Sequence, residues 1–330
     1  MKTKVAIVGL GKMGLMHASV MAMFNDVEIA AICEKNAFIR KFGKKAIPAI
    51  DIVENLEALL GRNLDALCIT TPPASHYTII KAALEKGLAK HIFTEKPLAV
   101  NFPQAKELCE LAKKYGGVNM VGYHRRFSVT FLKAKELLDT GAIGKLISFK
   151  GHAYSADFLG AKTAKAAIGR GGVIEDSGCH VIDIALWTLG DMKVTGAEVK
   201  SIIGGGSEDE ASLQVVTDGD LKGELNASWC KEGYRLPDMS LTVIGDNGYL
   251  SVNEDMVQLT TKDGKSNTWY KHDLNDTVPF SIGGNEYQRQ DALFVKGVRE
   301  GVKVEPDFRT AAKVHQLVDQ ANMFTRSLNE

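Results

Sequence analysis

Five short apolar runs rich in branched side chains punctuate the first 122 residues: 4–8 (KVAIV), 27–33 (VEIAAIC), 65–70 (DALCIT), 90–94 (KHIFT) and 117–121 (GVNMV). Between them, 15–24, 36–45, 53–61, 76–87 and 102–115 carry helical periodicity. Strands that are apolar on both faces must be covered on both faces, and strands alternating with helices of this length form parallel βαβ units. Residues 1–122 are therefore expected to fold as a doubly wound α/β domain around a parallel sheet.

After Tyr123 the pattern changes. A helix is expected over 128–140, closed by Gly141, and a second over 176–189. Alternating strands are expected at 145–154, 194–203, 211–217, 221–230, 239–245 and 248–253, separated by hairpin signals such as TDGD and GDNG. Helices at 286–300 and 308–327 close the chain. A chain of 330 residues is long for one core. Residues 123–330 are read as a second α/β domain with a large, mostly antiparallel open sheet.

Forty basic residues balance forty acidic ones, which argues against a general binder of nucleic acid or anionic membrane. No stretch approaches the ~20 apolar residues of a membrane span, and the N-terminal apolar run is too short for a secretion signal. Five scattered cysteines without a CxxC pair suit a reducing compartment and make no zinc framework. A cytoplasmic protein is expected.

Gly9, Gly11 and Gly14 in VGLGKMG have GxGxxG spacing between the first strand and a helix. Such glycines permit a tight turn, close approach of a pyrophosphate and close helix–strand packing, and the helix N-terminus offers free amides. Lys12 and Met13 belong to the same loop, and Glu34 ends the second strand 20 residues beyond Gly14, where an acid is expected on the ribose hydroxyls. This is the signature of a dinucleotide site. Lys35, or Arg40, would serve a 2′-phosphate instead, so NAD is the expected cofactor with NADP as the alternative. TPPASH (Thr71–His76) leaves the third of these strands, with Thr71, Pro72 and His76 assigned to the wall of the cofactor site. For His76 a backbone-bonding role is the plainer reading.

TEKP leaves the carboxyl end of the next strand, so Glu95 and Lys96 join the cofactor set. Pro97 fixes the chain direction, and a cis Lys96–Pro97 bond is compatible with this corner. A lysine so held donates to a reacting oxygen or, if desolvated, acts as a base. Farther on, Asp176, His180 and Asp183 fall on one helical face, where a carboxylate orients an imidazole for acid–base work. A lone Asp–His pair is a poor metal site, and no metal is expected.

Together these stretches, with GYHRRF (Gly122–Phe127), resemble the Gfo/Idh/MocA family of nicotinamide-dependent oxidoreductases over essentially the whole chain. The resemblance implies a Rossmann domain followed by an α/β domain with an open sheet. It implies Lys96, Asp176 and His180 as catalytic residues, and a sugar, inositol-like cyclic polyol or sugar derivative whose secondary alcohol exchanges a hydride with nicotinamide. It further implies substrate contacts from His124, Arg125, Tyr154, Trp229, Tyr234 and Arg235, though the last four equally suit a core or interface. Homodimers or homotetramers packed through the second sheet are implied too. Two alternatives stay open: an enzyme that uses NAD transiently to cleave a glycoside, and a non-catalytic cofactor-sensing regulator.

Overall fold

The computed structural model describes residues 2–160, 171–203, 208–278 and 283–326. The chain divides into two compact units, Met1–His124 with Thr277–Ala312, and Arg125–Asp276 with Lys313–Glu330.

In the first unit, β1 (Thr3–Val8), β2 (Val27–Cys33), β3 (Ile52–Val53), β4 (Ala66–Ile69), β5 (His91–Thr94) and β6 (Asn119–Val121) form a parallel sheet in the order β3-β2-β1-β4-β5-β6. The strand order reverses between β1 and β4, the switch point where such sheets take ligands at their carboxyl ends. All four residues of β4 are fully buried, which is why the run reads as continuously apolar. The crossovers carry α1 (Lys12–Ala22), α2 (Ala37–Ala46), α3 (His76–Glu85) and α4 (Phe102–Tyr115). The helix expected over 53–61 is replaced by the end of β3 and a 3-10 turn at Leu56–Leu59. The Asn55 side chain accepts the Ala58 N–H at 3.1 Å to start that turn, and one turn suffices to bury Leu59.

The second unit contains α5 (Val129–Asp139), β7 (Leu146–Tyr154), α6 (Cys179–Leu189), β8 (Met192–Lys200), β9 (Glu210–Thr217), β10 (Lys222–Ser228), β11 (Asp238–Gly245), β12 (Gly248–Val252), β13 (Met256–Thr261) and β14 (Ser266–Tyr270). The sheet order is β14-β13-β12-β11-β7-β10-β9-β8. Only β7 and β10 pair in parallel; the other ladders are antiparallel. Along β11, Met239, Leu241 and Val243 are buried while Ser240 and Thr242 alternate outward. Helix α6 packs on β7 and β11, and α5 packs on β12 and β13. The sheet is thus covered by helices on one face and polar on the other.

Helix α7 (Asn285–Glu300) belongs to the first unit and packs on α1 and β1. The residues before α8 (Phe308–Arg326) reach β6: Val121 N–H donates to Pro306 O at 2.9 Å, and Phe308 N–H to Asn119 Oδ1 at 2.8 Å. These bonds occupy polar groups on an outer strand. Sequence periodicity places 277–312 with the second half; the contacts place them with the first. Periodicity reports which face of a helix is buried, not which sheet buries it.

Candidate functional site

Strand β1 runs into Gly9, whose φ of +100° is a conformation that side chains disfavour. A Cβ on Gly14 would lie 2.0 Å from Gly9 O, so α1 can approach the turn only with glycine there. Thr70 Oγ1 donates to Val8 O (3.1 Å) and Gly9 O (3.0 Å), tying the ends of β1 and β4. Gly11 has nothing within 4 Å of a Cβ position. Helices α2 and α4 have side-chain caps from Asn36 and Asn101, whereas α1 has no side-chain cap and no acid in its first turn. Its leading amides are therefore available to an anion. Lys12 is exposed and Met13 half-buried on that turn.

Glu34 is brought to this loop. Its Oε2 accepts Leu10 N–H at 2.8 Å and its Oε1 accepts Asn36 N–H at 2.7 Å. Each oxygen retains a lone pair for a hydroxyl donor. Lys35 is exposed, while Arg40 is held on the carbonyls of Glu34 (3.0 Å) and Lys35 (2.6 Å) and pairs with Glu54 at 3.2 Å. An open glycine turn, uncapped amides and a seated carboxylate fit a dinucleotide.

At the next strand end, Thr71 is half-buried and Pro72 exposed, but His76 is fully buried. Its Nδ1 lies 2.7 Å from Pro97 O and its Nε2 2.7 Å from Thr71 O, joining the loops after β4 and β5. Burial lowers the pKa of this imidazole, while the two carbonyls facing its nitrogens act against that. His76 thus braces the wall rather than lining it, a correction to the sequence assignment. The Lys96–Pro97 bond is cis. Glu95 is buried and turned to His17, whose Nε2 lies 2.9 Å from Glu95 Oε1, while Lys96 is only half-buried.

In the second unit, residues Ile174–Gly178 form a π-turn that leads into α6. A Cβ on Gly172 would fall 1.7 Å from Glu208 Oε1, so the glycine leaves room for that carboxylate, which accepts Ile174 N–H at 3.2 Å. Asp176 is half-buried within the π-turn, and His180 is buried in the first turn of α6. The wider turn alters the regular helical register between them. Asp183 departs from the expectation altogether. It is 1% exposed and takes Arg126 in a bidentate pair, Nε to Oδ2 at 2.7 Å and Nη2 to Oδ1 at 2.6 Å. Two further groups were missed by sequence reasoning: Arg126 itself, and Glu175, pushed up to about 7 by burial and by the charges of Glu208 and Asp319.

The aromatic candidates divide. A Cβ on Gly151 would lie 2.6 Å from Val181 Cγ2, so that face of β7 is the one under α6. Alternation sends His152 and Tyr154 to the opposite face. There they line an open hollow of about 1340 Å³ together with Tyr234, Arg235 and Asp238. His152 stacks on Tyr154 at 4.2 Å, and its Nε2 lies 2.8 Å from Asp238 Oδ2. Tyr154, Tyr234 and Arg235 therefore lie across the sheet from α6. Trp229 is 1% exposed, donates its indole N–H to Ser177 Oγ at 3.0 Å and packs against Phe158. It is a core residue, which corrects its assignment to substrate. His124 stacks on Tyr287 at 4.4 Å in the first unit, and Arg125 pairs with Glu254 in the second. Among the described residues, no cluster of three or more His, Cys, Asp or Glu is placed to hold a metal, and no helix is long and apolar enough to cross a membrane.

Residues 3–123 match the model of the oxidoreductase family with NAD-binding Rossmann fold, and residues 131–251 match the GFO/IDH/MocA C-terminal domain. The chain belongs to the GFO/IDH/MocA family. Residues 3–123 are thus an NAD-binding Rossmann domain. The chain is 30% identical over 243 residues to scyllo-inositol 2-dehydrogenase (NAD(+)) of Bacillus subtilis, covering 69% of this chain and 67% of that protein. It is 30% identical over 197 residues to D-glucoside 3-dehydrogenase of Escherichia coli, covering 57% and 54%. With several curated relatives, the chain aligns over only about half of their length. Levoglucosan dehydrogenase in complex with NADH and levoglucosan shares the fold, with a TM-score of 0.84 at 22% identity over 98% of both chains.

Proposed function

We propose that this GFO/IDH/MocA protein is an NAD-dependent oxidoreductase acting on a secondary alcohol or ketone of a sugar, cyclic polyol or sugar derivative. The observation that carries the reading is the pairing, in one parallel sheet, of a carboxylate-seated glycine turn with a lysine delivered at the end of β5. The names of the two relatives above, dehydrogenases of an inositol and of a glucoside, support the substrate class. NAD, when bound, accepts or returns the hydride. Of the chain's own groups, Lys96 stabilises negative charge developing on the substrate oxygen, His180 takes the hydroxyl proton, and Asp176 orients His180 or holds an adjacent hydroxyl. The five scattered cysteines suit the cytoplasm, and the polar open face of the second sheet suits a homodimer or homotetramer.

A spectrophotometric screen of cyclic polyols, aldoses and sugar nucleotides against NAD and NADP tests the reading. NADH formed in step with ketone is the expected result. It also separates this enzyme from one that regenerates NAD during glycoside cleavage and from a cofactor sensor. Turnover restricted to small 2-hydroxy acids or aliphatic alcohols would overturn the substrate class.

Cofactor choice follows from Glu34, whose fixed carboxylate accepts ribose hydroxyls and repels a 2′-phosphate. Fluorescence titration should therefore give a lower Kd for NADH than for NADPH. Equal or tighter NADPH binding would move the role to Lys35 or Arg40.

A further inference from the structure

We infer that His17, clamped between Asp291 and Glu95, is a positioning residue that sets the Lys96 loop and ties it to the helix behind the glycine turn. The inference rests on the reading of Lys96 given above.

His17 follows Gly14 by three residues on α1 and is fully buried. Its ring is walled by Phe93 (centroids 5.0 Å apart) and Tyr287 (6.1 Å). Nδ1 lies 2.8 and 3.0 Å from the two oxygens of Asp291 on α7, and Nε2 lies 2.9 Å from Glu95 Oε1. A neutral imidazole has one N–H and would present a lone pair to one of these carboxylates; only the doubly protonated ring satisfies both. Burial alone would lower its pKa, but the charge and hydrogen bond of Asp291, with those of Glu95, outweigh it and push His17 up to about 10. Of the neighbouring titratable groups, Cys68 is pushed well up by burial and stays a thiol, and burial lowers His76 while its two carbonyl partners oppose that. The ring thus lies between the carboxyl groups of Asp291, itself raised by burial, and Glu95.

Glu95 transmits that arrangement to its neighbour. Its N–H donates to Ile69 O at 2.9 Å, and its Oε2 accepts the Lys96 N–H at 3.2 Å. Behind it, a Cβ on Gly122 would come within 2.9 Å of Oε1, so the site admits only glycine unless the carboxylate moves. Without His17, Glu95 would be a buried carboxylate lacking its cation, a state that costs enough to force rotation or protonation. Either response disturbs the amide that begins Lys96. A displacement of about 1 Å at a catalytic group can lower a rate by as much as ~10²-fold.

The experiment uses the full chain with 13C-labelled lysine and 15N-labelled histidine. At pH 8.5 both ring nitrogens of His17 are expected to be protonated; a single-proton tautomer overturns the clamp. In His17→Gln the Lys96 side-chain resonances are expected to shift, whereas Val20→Ala, a buried substitution on the same helix, leaves them in place. Unmoved Lys96 resonances in a folded His17→Gln variant overturn the positioning role. Should that variant not fold, Glu95→Gln, which keeps side-chain size and removes one charge, is expected to give the same shift. On a substrate the parent oxidises, kcat should fall about tenfold or more with little change in the Kd for NADH. Loss of NADH binding with kcat preserved would make His17 part of the cofactor loop alone. If the parent turns over nothing, the proposed function fails while the resonance test still decides the inference.

Discussion

Lys96→Met and His180→Ala are each expected to lower kcat by roughly 10²-fold or more, the usual scale for acid–base groups, with NADH affinity little changed. A hydride leaves a carbinol with difficulty while the hydroxyl keeps its proton, so a base must take that proton as the carbonyl forms. Methionine keeps an unbranched apolar stem close to that of Lys96 but removes the charge that would steady the oxygen. NADH affinity should be spared because the proposed dinucleotide contacts, the amides of α1 and the Glu34 carboxylate, are left unchanged. The pH profile of kcat assigns the base. Loss of the acidic limb in His180→Ala assigns it to histidine; its persistence assigns it to Lys96. Glu175 also titrates near 7, so Glu175→Gln is the necessary control and should leave that limb in place. Near-normal turnover by both variants on a verified substrate would sink the catalytic reading of the Glu95–Pro97 corner.

Much of this architecture is legible in the chain because a few constraints are local. Gly9 needs a positive φ and Gly14 has a carbonyl where a side chain would begin, so their spacing marks the turn in any context. The strands of the first sheet are buried on both faces, and that alone makes 4–8 and 65–70 stand out. Strands β13 and β14 escape because their outward residues are polar and only Val257 and Leu259 are buried in β13. Strand β3 escapes because two residues carry no period.

The pairing of distant charges is where sequence fails. His17 and Asp291 are 274 positions apart, and nothing near either announces the other. A lone histidine one turn past Gly14 was the available signal, and its meaning depends on α7 returning to the first unit. The same holds for the segment from Asp176 to Asp183. Helical spacing places three polar groups on one face, but the π-turn changes the register and a partner from the 3-10 turn at His124–Phe127 takes Asp183 away. Local spacing identifies groups capable of chemistry; tertiary pairing decides which of them remain available for it.

That reassignment carries a measurable consequence. Asp183→Ala is expected to destabilise the protein by about 3–5 kcal/mol, the range for removing one partner of a buried ion pair. The size follows from what remains. Arg126 is 6% exposed and lies 5.6 Å from the Trp187 ring, so its guanidinium cannot recover water when Asp183 is gone. The π face offsets only a small part of the lost carboxylate. Urea unfolding of parent and variant, followed by one probe in each unit, measures the difference. The double variant Arg126→Met/Asp183→Leu removes both charges and keeps apolar volume, and it should recover much of the loss. Recovery would identify the cost as an orphaned buried charge rather than lost chemistry. The folded Asp183→Ala protein should also retain turnover, because its carboxylate is engaged by Arg126 rather than by a reacting group. A variant that unfolds at the parent's urea concentration yet has lost turnover would instead give Asp183 a part in the chemistry.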